Sequence, residues 1–423
     1  MRGTTVHLDL NRDEMVMFGA SFGSLAWFDQ ELPAGSVVLI EEPDVIRRRG
    51  LDRYCAELPL TSRVVAAEYQ TGLDVDALLD REPGLAAARL VMPGQEYAVG
   101  AAARLAERLG LPGAGVAAAD IFTDKHRMRL LADGAGLANP AYELVDHPDR
   151  AVRFARRHGG RCVLKPTRRS GSLGVQLVGD PAEIGPAWAR SADPEPSAEA
   201  TERGLPTEVL VEQLLVGTEH SVELLVADGE VLFANVTDKR IVGGRFPVET
   251  GHTVPSALPA ATCRALTDAA VRLAHAAGFR SGMLHSEWIL ADGVPTLVEC
   301  AARVPGDMIT ALVSIAYECD FIGAYLRVLR GERPQLPAGP IGAAAIEFLL
   351  APPGRVTAVQ GVKAALRVSG VLDVQVDVAV GDTVAELISS AQRAGHLLVW
   401  GADQAEAEQS ARKAAEQVQF TVG

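Results

Sequence analysis

The sequence predicts a multidomain protein of mixed α/β and α+β class, with a parallel sheet first and antiparallel sheets after it. Three observations carry this prediction. Residues 14–120 alternate short apolar runs with helical stretches, the order that builds a parallel sheet. From residue 208 onward, apolar runs follow one another across tight turns such as Ala227-Asp228-Gly229 and Ala291-Asp292-Gly293, which signals hairpins. The length of 423 residues, 48% of them hydrophobic, suits two to four domains rather than one core.

The first unit has strands expected at Glu14–Ala20, Val37–Ile40, Arg63–Ala67 and Ala88–Met92. An alanine-rich helix at Tyr97–Leu109 stops at Gly110. The turn Gly19-Ala20-Ser21-Phe22-Gly23 resembles a dinucleotide loop but lacks the G-x-G-x-x-G spacing, so its simpler reading is a helix start. Asp120–Gly134 is expected as one helix, capped by Thr123 or Asp124, with Arg127 and Arg129 as solvated surface charges. Lys125 stands in its first turn, where the dipole disfavours a cation.

The stretch Val163–Val175, VLKPTRRSGSLGV, reads as a strand ending in Lys165-Pro166, then a loop, then a second strand. Glycine lets backbone N–H groups approach a polyphosphate, and Lys165 offers a point charge. No G-x-x-x-x-G-K-[ST] motif occurs, so this is not a Walker A loop. Taken alone, such a loop is more often a plain surface turn. Ser191–Pro206 is rich in Pro, Ala and Glu and is expected as an exposed excursion. Strands follow at Glu208–Leu215, His220–Val226 and Val231–Val236, then a helix at Thr262–Ala277, strands at Gly282–Leu290 and Pro295–Cys300, and one long helix at Asp307–Leu329. The last segment should hold strands at Ala344–Leu350, Val371–Val378 and His396–Trp400, with helices at Thr383–Ala394 and Glu406–Val418.

Composition narrows the function. A net charge of −14 argues against nucleic acid as the main partner, and any site for an anion must gather its cations locally. The N-terminal stretch has acids where a signal peptide needs an apolar core, and no apolar run is long enough to span a membrane. Five scattered cysteines without a C-x-x-C pair indicate reduced thiols in a cytoplasmic protein.

The sharpest constellation is Glu287 and Glu299. A five-residue connection at 291–295 would place them directly opposite, with Cβ atoms about 5 Å apart. Facing carboxylates need neutralising, and a divalent cation shared with phosphate oxygens does so. A tighter turn would shift the register by one and separate them onto opposite faces. Strand period puts His285 on the face of Glu287, and Ala301 and Arg303 on that of Glu299.

Lys125, Lys165 with its loop, the run Val211-Glu212-Gln213-Leu214-Leu215-Val216-Gly217-Thr218-Glu219 and the Glu287/Glu299 pair fall in the order seen in the ATP-grasp superfamily, over about residues 120–330. Within it the chain most resembles the L-amino acid ligases, through Val248-Glu249-Thr250-Gly251-His252, His285-Ser286-Glu287, Val298-Glu299-Cys300-Ala301-Ala302-Arg303 and a terminal segment with Phe348–Val356. The resemblance implies an N-terminal α/β domain at 1–119, ATP-grasp subdomains at 120–206 and 207–335, and a small α+β domain at 336–423. It implies that Lys125, Lys165 and Lys239 contact ATP phosphates, under a lid of Arg169, Ser170, Gly171, Ser172 and Gly174. Glu212 with the Gln213, Leu214 and Leu215 backbone would take adenine, and Glu219 the ribose. Glu287 and Glu299 would hold Mg²⁺, with Mn²⁺ as an alternative ion. Arg303 would meet the transferring phosphate or a substrate carboxylate, and Glu249, His252 and His285 would belong to the amino-acid side. Ala301 stands where many ATP-grasp enzymes carry a ligating Asn, which puts the number of metal ions in doubt.

The expected activity is ATP-dependent joining of an amino acid carboxylate to an amine through an acyl phosphate, giving a dipeptide or an amide. Small-molecule substrates are the expected partners, and the apolar 307–329 segment with the N-terminal sheet could support a homodimer. The alternatives are an ATP-grasp carboxylase and a nucleotide-binding scaffold without turnover.

Overall fold

The computed structural model describes residues 10–19, 22–194, 197–205, 207–243 and 246–423. Strands β1 (Met15–Phe18), β2 (Val37–Glu41), β3 (Thr61–Ala66) and β4 (Leu90–Pro93) form the expected all-parallel sheet, in the order β3-β2-β1-β4. β1, β2 and most of β4 are buried on both faces, as helix-covered parallel strands must be. The dinucleotide-like turn cannot be followed, because Ala20 and Ser21 lie outside the described residues.

A four-stranded sheet, ordered β5-β8-β6-β7, is built from β5 (Tyr142–Val145), β6 (Cys162–Pro166), β7 (Gln176–Val178) and β8 (Val209–Gln213). The central sheet has eight strands. It takes β9 (Thr218–Ala227), β10 (Glu230–Ile241), β11 (Glu249–Val254), β12 (Gly282–Ala291) and β13 (Val294–Ala301), then β14 (Ala343–Leu349). After β15 (Gly354–Gln360) it adds β16 (Val371–Val376), and after β17 (Thr383–Val384) it adds β18 (Gly395–Gly401). The order is β13-β12-β9-β10-β11-β14-β18-β16, so one continuous sheet runs past residue 336. β17, β15 and β19 (Gln419–Val422) form a small side sheet.

Several expectations are corrected. The 120–134 segment is two helices, Val116–Phe122 and Lys125–Gly134, because the Asp124 side chain accepts from the His126 and Arg127 N–H groups and starts a new helix. Arg129 is no surface charge; it is 1% exposed. Asp307–Leu329 breaks into Ile309–Tyr317 and Phe321–Leu329, bent by 110°, with Glu318 at φ +49° and Asp320 capping the second helix at Gly323. Both are core helices, wedged between the N-terminal sheet and the central sheet. Residues 383–394 are a short strand and a turn rather than a helix. The 191–206 excursion is no free loop. Thr201 is buried, its N–H donates to Gln70, its hydroxyl donates to Asp44, and Arg203 pairs with Glu42 at 2.8 Å.

The register of β12 and β13 has a specific cause. The turn is tight, with Ala291 opposite Val294 and Asp292 and Gly293 at φ +51° and +77°. That register would put Glu287 opposite Val298. A bulge beyond Trp288–Leu297 inserts one residue, and Glu287 faces Glu299 after all.

Candidate active site

Two cavities meet at the mouth of the central sheet. The first, a cleft of about 160 Å³, lies between β6–β8 and the β12–β13 hairpin. Its walls include Lys125, Lys165, the Glu212–Leu215 run, Glu219, Glu249, Glu287 and Glu299. Arg169, Ser170 and Ser172 of the loop close over it, and Ser172 holds φ +60°, an uncommon conformation for a residue with a Cβ. The Ser172 hydroxyl donates to the Pro247 carbonyl at 3.4 Å. Gly171 (φ +65°) and Gly174 (φ +77°) bend the loop back; at Gly174 a Cβ would come within 3.1 Å of Pro166.

Three buried lysines are held against acids here: Lys125 and Lys165 line the cleft, whereas Lys239, like His285, borders neither cavity. Lys125 lies 3.1 Å from Glu299 and donates to the Arg169 carbonyl at 2.6 Å. Lys239 contacts Glu287 closely and lies 3.4 Å from Glu249. Burial opposes the charge on both lysines, yet the carboxylates win and hold both above the ordinary lysine range. Lys165 differs. It shares Glu212 with Arg129, at 2.7 Å from each. One carboxylate between two buried cations leaves one positive charge in surplus. Burial pushes Lys165 down to about 8, with Glu212 pulling up and Arg129 pushing further down. A buried surplus cation facing a cleft suits an anion such as a phosphate.

The acids match that arrangement. Burial pushes the Glu219 carboxyl up to about 7, with Lys239 pulling it down and Glu287, Glu249 and Glu299 adding to the rise. Glu287 is held well below its usual range by Lys239 and His285, against its burial. His285 bridges Glu223 at 3.0 Å and Glu287 at 3.3 Å; burial disfavours its charge, but these two carboxylates raise it to about 9. Among the described residues no group of three or more acidic, His or Cys side chains is spaced to hold a metal. The opposed pair Glu287/Glu299 is what this chain offers. Two carboxylates completed by phosphate oxygens and water suit Mg²⁺, which keeps several waters and demands six oxygens. The residues present therefore fit a metal–nucleotide complex rather than a metal alone.

The second cavity, about 270 Å³, opens on the other side of Lys125 and Glu299, toward the N-terminal sheet. Arg303 lines it, donating from Nε to Glu96 at 2.7 Å and from Nη1 to the Val304 carbonyl at 2.9 Å. His252 borders neither cavity. It is fully buried, 3.0 Å from Asp307, which also pairs with Arg393.

Residues 159–311 match the ATP-grasp domain family, and residues 347–423 match the L-amino acid ligase C-terminal domain 2. The chain carries an ATP-grasp domain. It is 28% identical to the alanine–anticapsin ligase of Bacillus subtilis (strain 168), over 59% of this chain and 56% of that protein. It is 25% identical to the D-alanine–D-alanine ligase of Aromatoleum aromaticum (strain DSM 19018 / LMG 30748 / EbN1), over 64% and 89%. The fold superposes on the L-amino acid ligase from Bacillus licheniformis with a TM-score of 0.74 at 19% identity, covering 98% of this chain and 100% of that one. The chain spans 27% to 65% of the length of the first three curated relatives it matches.

Three residues at the two cavities escaped sequence reasoning. Arg129 stands one turn after Lys125 on the same helix face, a spacing that could have flagged it. Its guanidinium donates to Glu212, Asn139 and the carbonyls of Leu297 and Val298. Leu297 and Val298 flank the bulge, so Arg129 braces the segment that sets the Glu287/Glu299 register. Glu96 and Tyr97 follow β4 at the carboxyl end of the parallel sheet, where α/β sheets place ligands.

Proposed function

We propose that the protein is an ATP-dependent carboxylate–amine ligase, joining an amino acid to an amine and releasing ADP and phosphate. The observation that carries this reading is the meeting of two cavities at Lys125 and Glu299: a cleft lined by Lys165, Glu287 and Glu299 opens directly onto a second, polar pocket. Both family matches and the named ligases support it. Mg²⁺, or Mn²⁺ in its place, would sit between Glu287 and Glu299 and supply charge neutralisation at the phosphates.

A free carboxylate is a poor electrophile. Transfer of the terminal phosphoryl group to its oxygen makes an acyl phosphate and ADP; attack by an amine nitrogen then forms the amide bond, breaks the acyl–oxygen bond and expels phosphate. In this reading Lys165, the surplus cation, holds phosphate oxygens. Lys125 and Lys239, paired here with Glu299 and Glu287, would turn to phosphate oxygens when those acids hold the ion. Arg303, fixed by Glu96, binds the substrate carboxylate and steadies the oxyanion of the tetrahedral intermediate. The Arg169–Gly174 loop excludes the water that would hydrolyse the acyl phosphate. Glu212 and the Gln213–Leu215 backbone hold adenine, Glu219 the ribose hydroxyls, and Glu249 the amine side; His285 and His252 support from behind.

The test is ADP release with Mg²⁺-ATP against all pairs of the common L-amino acids, with Glu299→Gln as control. Release that needs two substrates and disappears in the control is expected. ATP binding without release under any pair would overturn the reading in favour of a scaffold.

A further inference from the structure

The second cavity is far more basic than the chain around it. Six cations line it: Arg104, Lys125, Arg127, Arg168, Arg169 and Arg303. Only three carboxylates do: Glu96, Asp120 and Glu299. In a chain of net charge −14 this is a local inversion of sign. Most of these cations are accounted for. Lys125 is held by Glu299 and Arg303 by Glu96. Arg104 is clamped by both oxygens of Asp120, at 2.8 and 3.0 Å. Arg169 also borders the nucleotide cleft, where phosphates can use it.

Arg127 and Arg168 are different. They share one carboxylate, Asp124, at 4.0 and 3.3 Å. Its other oxygen caps the Lys125–Gly134 helix through the N–H groups of His126 and Arg127, so the two guanidinium groups share a single oxygen. Neither arginine borders the nucleotide cleft, so phosphates there leave them unused. Both face the pocket with half-exposed side chains, 52% and 39%. The same cavity wall includes Tyr97, whose buried hydroxyl has no hydrogen-bond partner among the described residues. The pocket thus has unmet demand for an anion and for a polar group beyond the reacting end at Arg303.

We propose that one substrate is dicarboxylic, an amino acid with an acidic side chain, and that Arg127 and Arg168 receive its side-chain carboxylate while Arg303 and Glu96 serve the reacting end. The proposal rests on the ligase reading and names its substrate class. A guanidinium pair selects a carboxylate over the isosteric amide because the amide offers one acceptor and brings an N–H donor against a cation.

The experiment is equilibrium binding by calorimetry of L-Glu, L-Asp, L-Gln, L-Asn and O-phosphoserine to the full chain, followed by ADP release with the same five. The acids should bind about tenfold or more tighter than their amides, the difference expected for one charge-assisted contact. Arg127→Gln with Arg168→Gln should collapse that acid-to-amide ratio toward one, with an unchanged melting temperature showing that the fold is kept. Amides binding as well as acids would overturn the proposal even if neutral pairs release ADP, in which case the ligase reading stands. O-phosphoserine binding tighter than either acid would overturn the carboxylate assignment in favour of a phosphate. Acid binding that depends on the two arginines, without ADP release when each acid is paired with every common L-amino acid, would keep the anion site and refute the ligase reading.

Discussion

Arg129 offers the most direct test of how the site is held. Its side chain is almost fully buried and spends its donors on Glu212, Asn139 and the carbonyls of Leu297 and Val298. Arg129→Met keeps the volume and removes every one of those donors. Glu212 keeps Lys165 at 2.7 Å, so its charge is not stranded. The two carbonyls beside the bulge are, and each buried acceptor left without a partner costs about 1–3 kcal/mol. Asn139 loses one bond more. The expected loss is about 2–6 kcal/mol, the cost of the two stranded acceptors together. Trp288 lies opposite Leu297 and is fully buried, so its fluorescence reads this hairpin. Urea unfolding should shift its midpoint down by about 1 M or more, given slopes of about 1–3 kcal/mol per molar. Mg²⁺-ADP affinity should fall together with it, because the bulge sets Glu287 against Glu299. Arg129→Lys should recover little, since a single ammonium cannot reproduce the fork. A methionine variant that unfolds like the parent and still binds Mg²⁺-ADP would refute the role given to Arg129.

Two further outcomes follow from the same geometry. Lys165 is held near 8, below the ordinary lysine value, so its charge is present below pH 8 and lost above it. ATP affinity should therefore fall as pH rises through about 8, with proton uptake on binding between pH 8 and 9, and Lys165→Met should flatten both; calorimetry in buffers of different ionisation enthalpy reads the protons. Between pH 8 and the unfolded value the unfolded chain holds a proton the folded one lacks, so this group makes stability rise with pH there. Gly174→Ala places a Cβ at φ +77°, 3.0 Å from Pro194 and 3.1 Å from Pro166. The strain, about 1–2 kcal/mol, should raise the ATP KM and speed amide exchange in the loop.

Much of this architecture was legible in the residues. The parallel sheet, the hairpins at Asp228-Gly229 and Asp292-Gly293 and the Glu287/Glu299 pairing follow from apolar runs and turn chemistry. The pairing was reached by an incorrect path: the sequence suggested a wide turn, whereas the chain makes a tight turn and corrects it with a bulge. A bulge is set by tertiary partners, here Arg129, and leaves no local signature. Helix breaks at Thr123-Asp124 and Glu318–Asp320 were missed because apolar periodicity continues through them while side-chain capping interrupts the backbone. The docked 198–203 stretch was missed because its composition is that of a loop, and the residues that fix it, Arg48, Asp44, Gln70 and Glu42 among them, lie far earlier in the chain.

The pairing of Lys125 with Glu299 and Lys239 with Glu287 carries a thermodynamic consequence. In the proposed ligase, each carboxylate assigned to the metal is paired with a lysine assigned to phosphate. A divalent ion arriving alone would take Glu299 from Lys125 and leave Lys239 with Glu249 alone, at 3.4 Å, and parting buried charges from their partners is costly. A nucleotide arriving with the ion gives the lysines new partners. Metal and nucleotide should then bind cooperatively, and by linkage each must strengthen the other by the same factor. Mg²⁺ titrated alone should bind weakly, and tighten by about tenfold or more in saturating ADP; ADP should gain the same factor from Mg²⁺. Lys239→Met leaves Glu287 paired with His285 alone, at 3.3 Å, so it should improve binding of the lone ion while weakening that of the nucleotide, and shrink the coupling. Equal Mg²⁺ affinity with and without ADP would show that the lysines are not placeholders and that the metal has a site of its own.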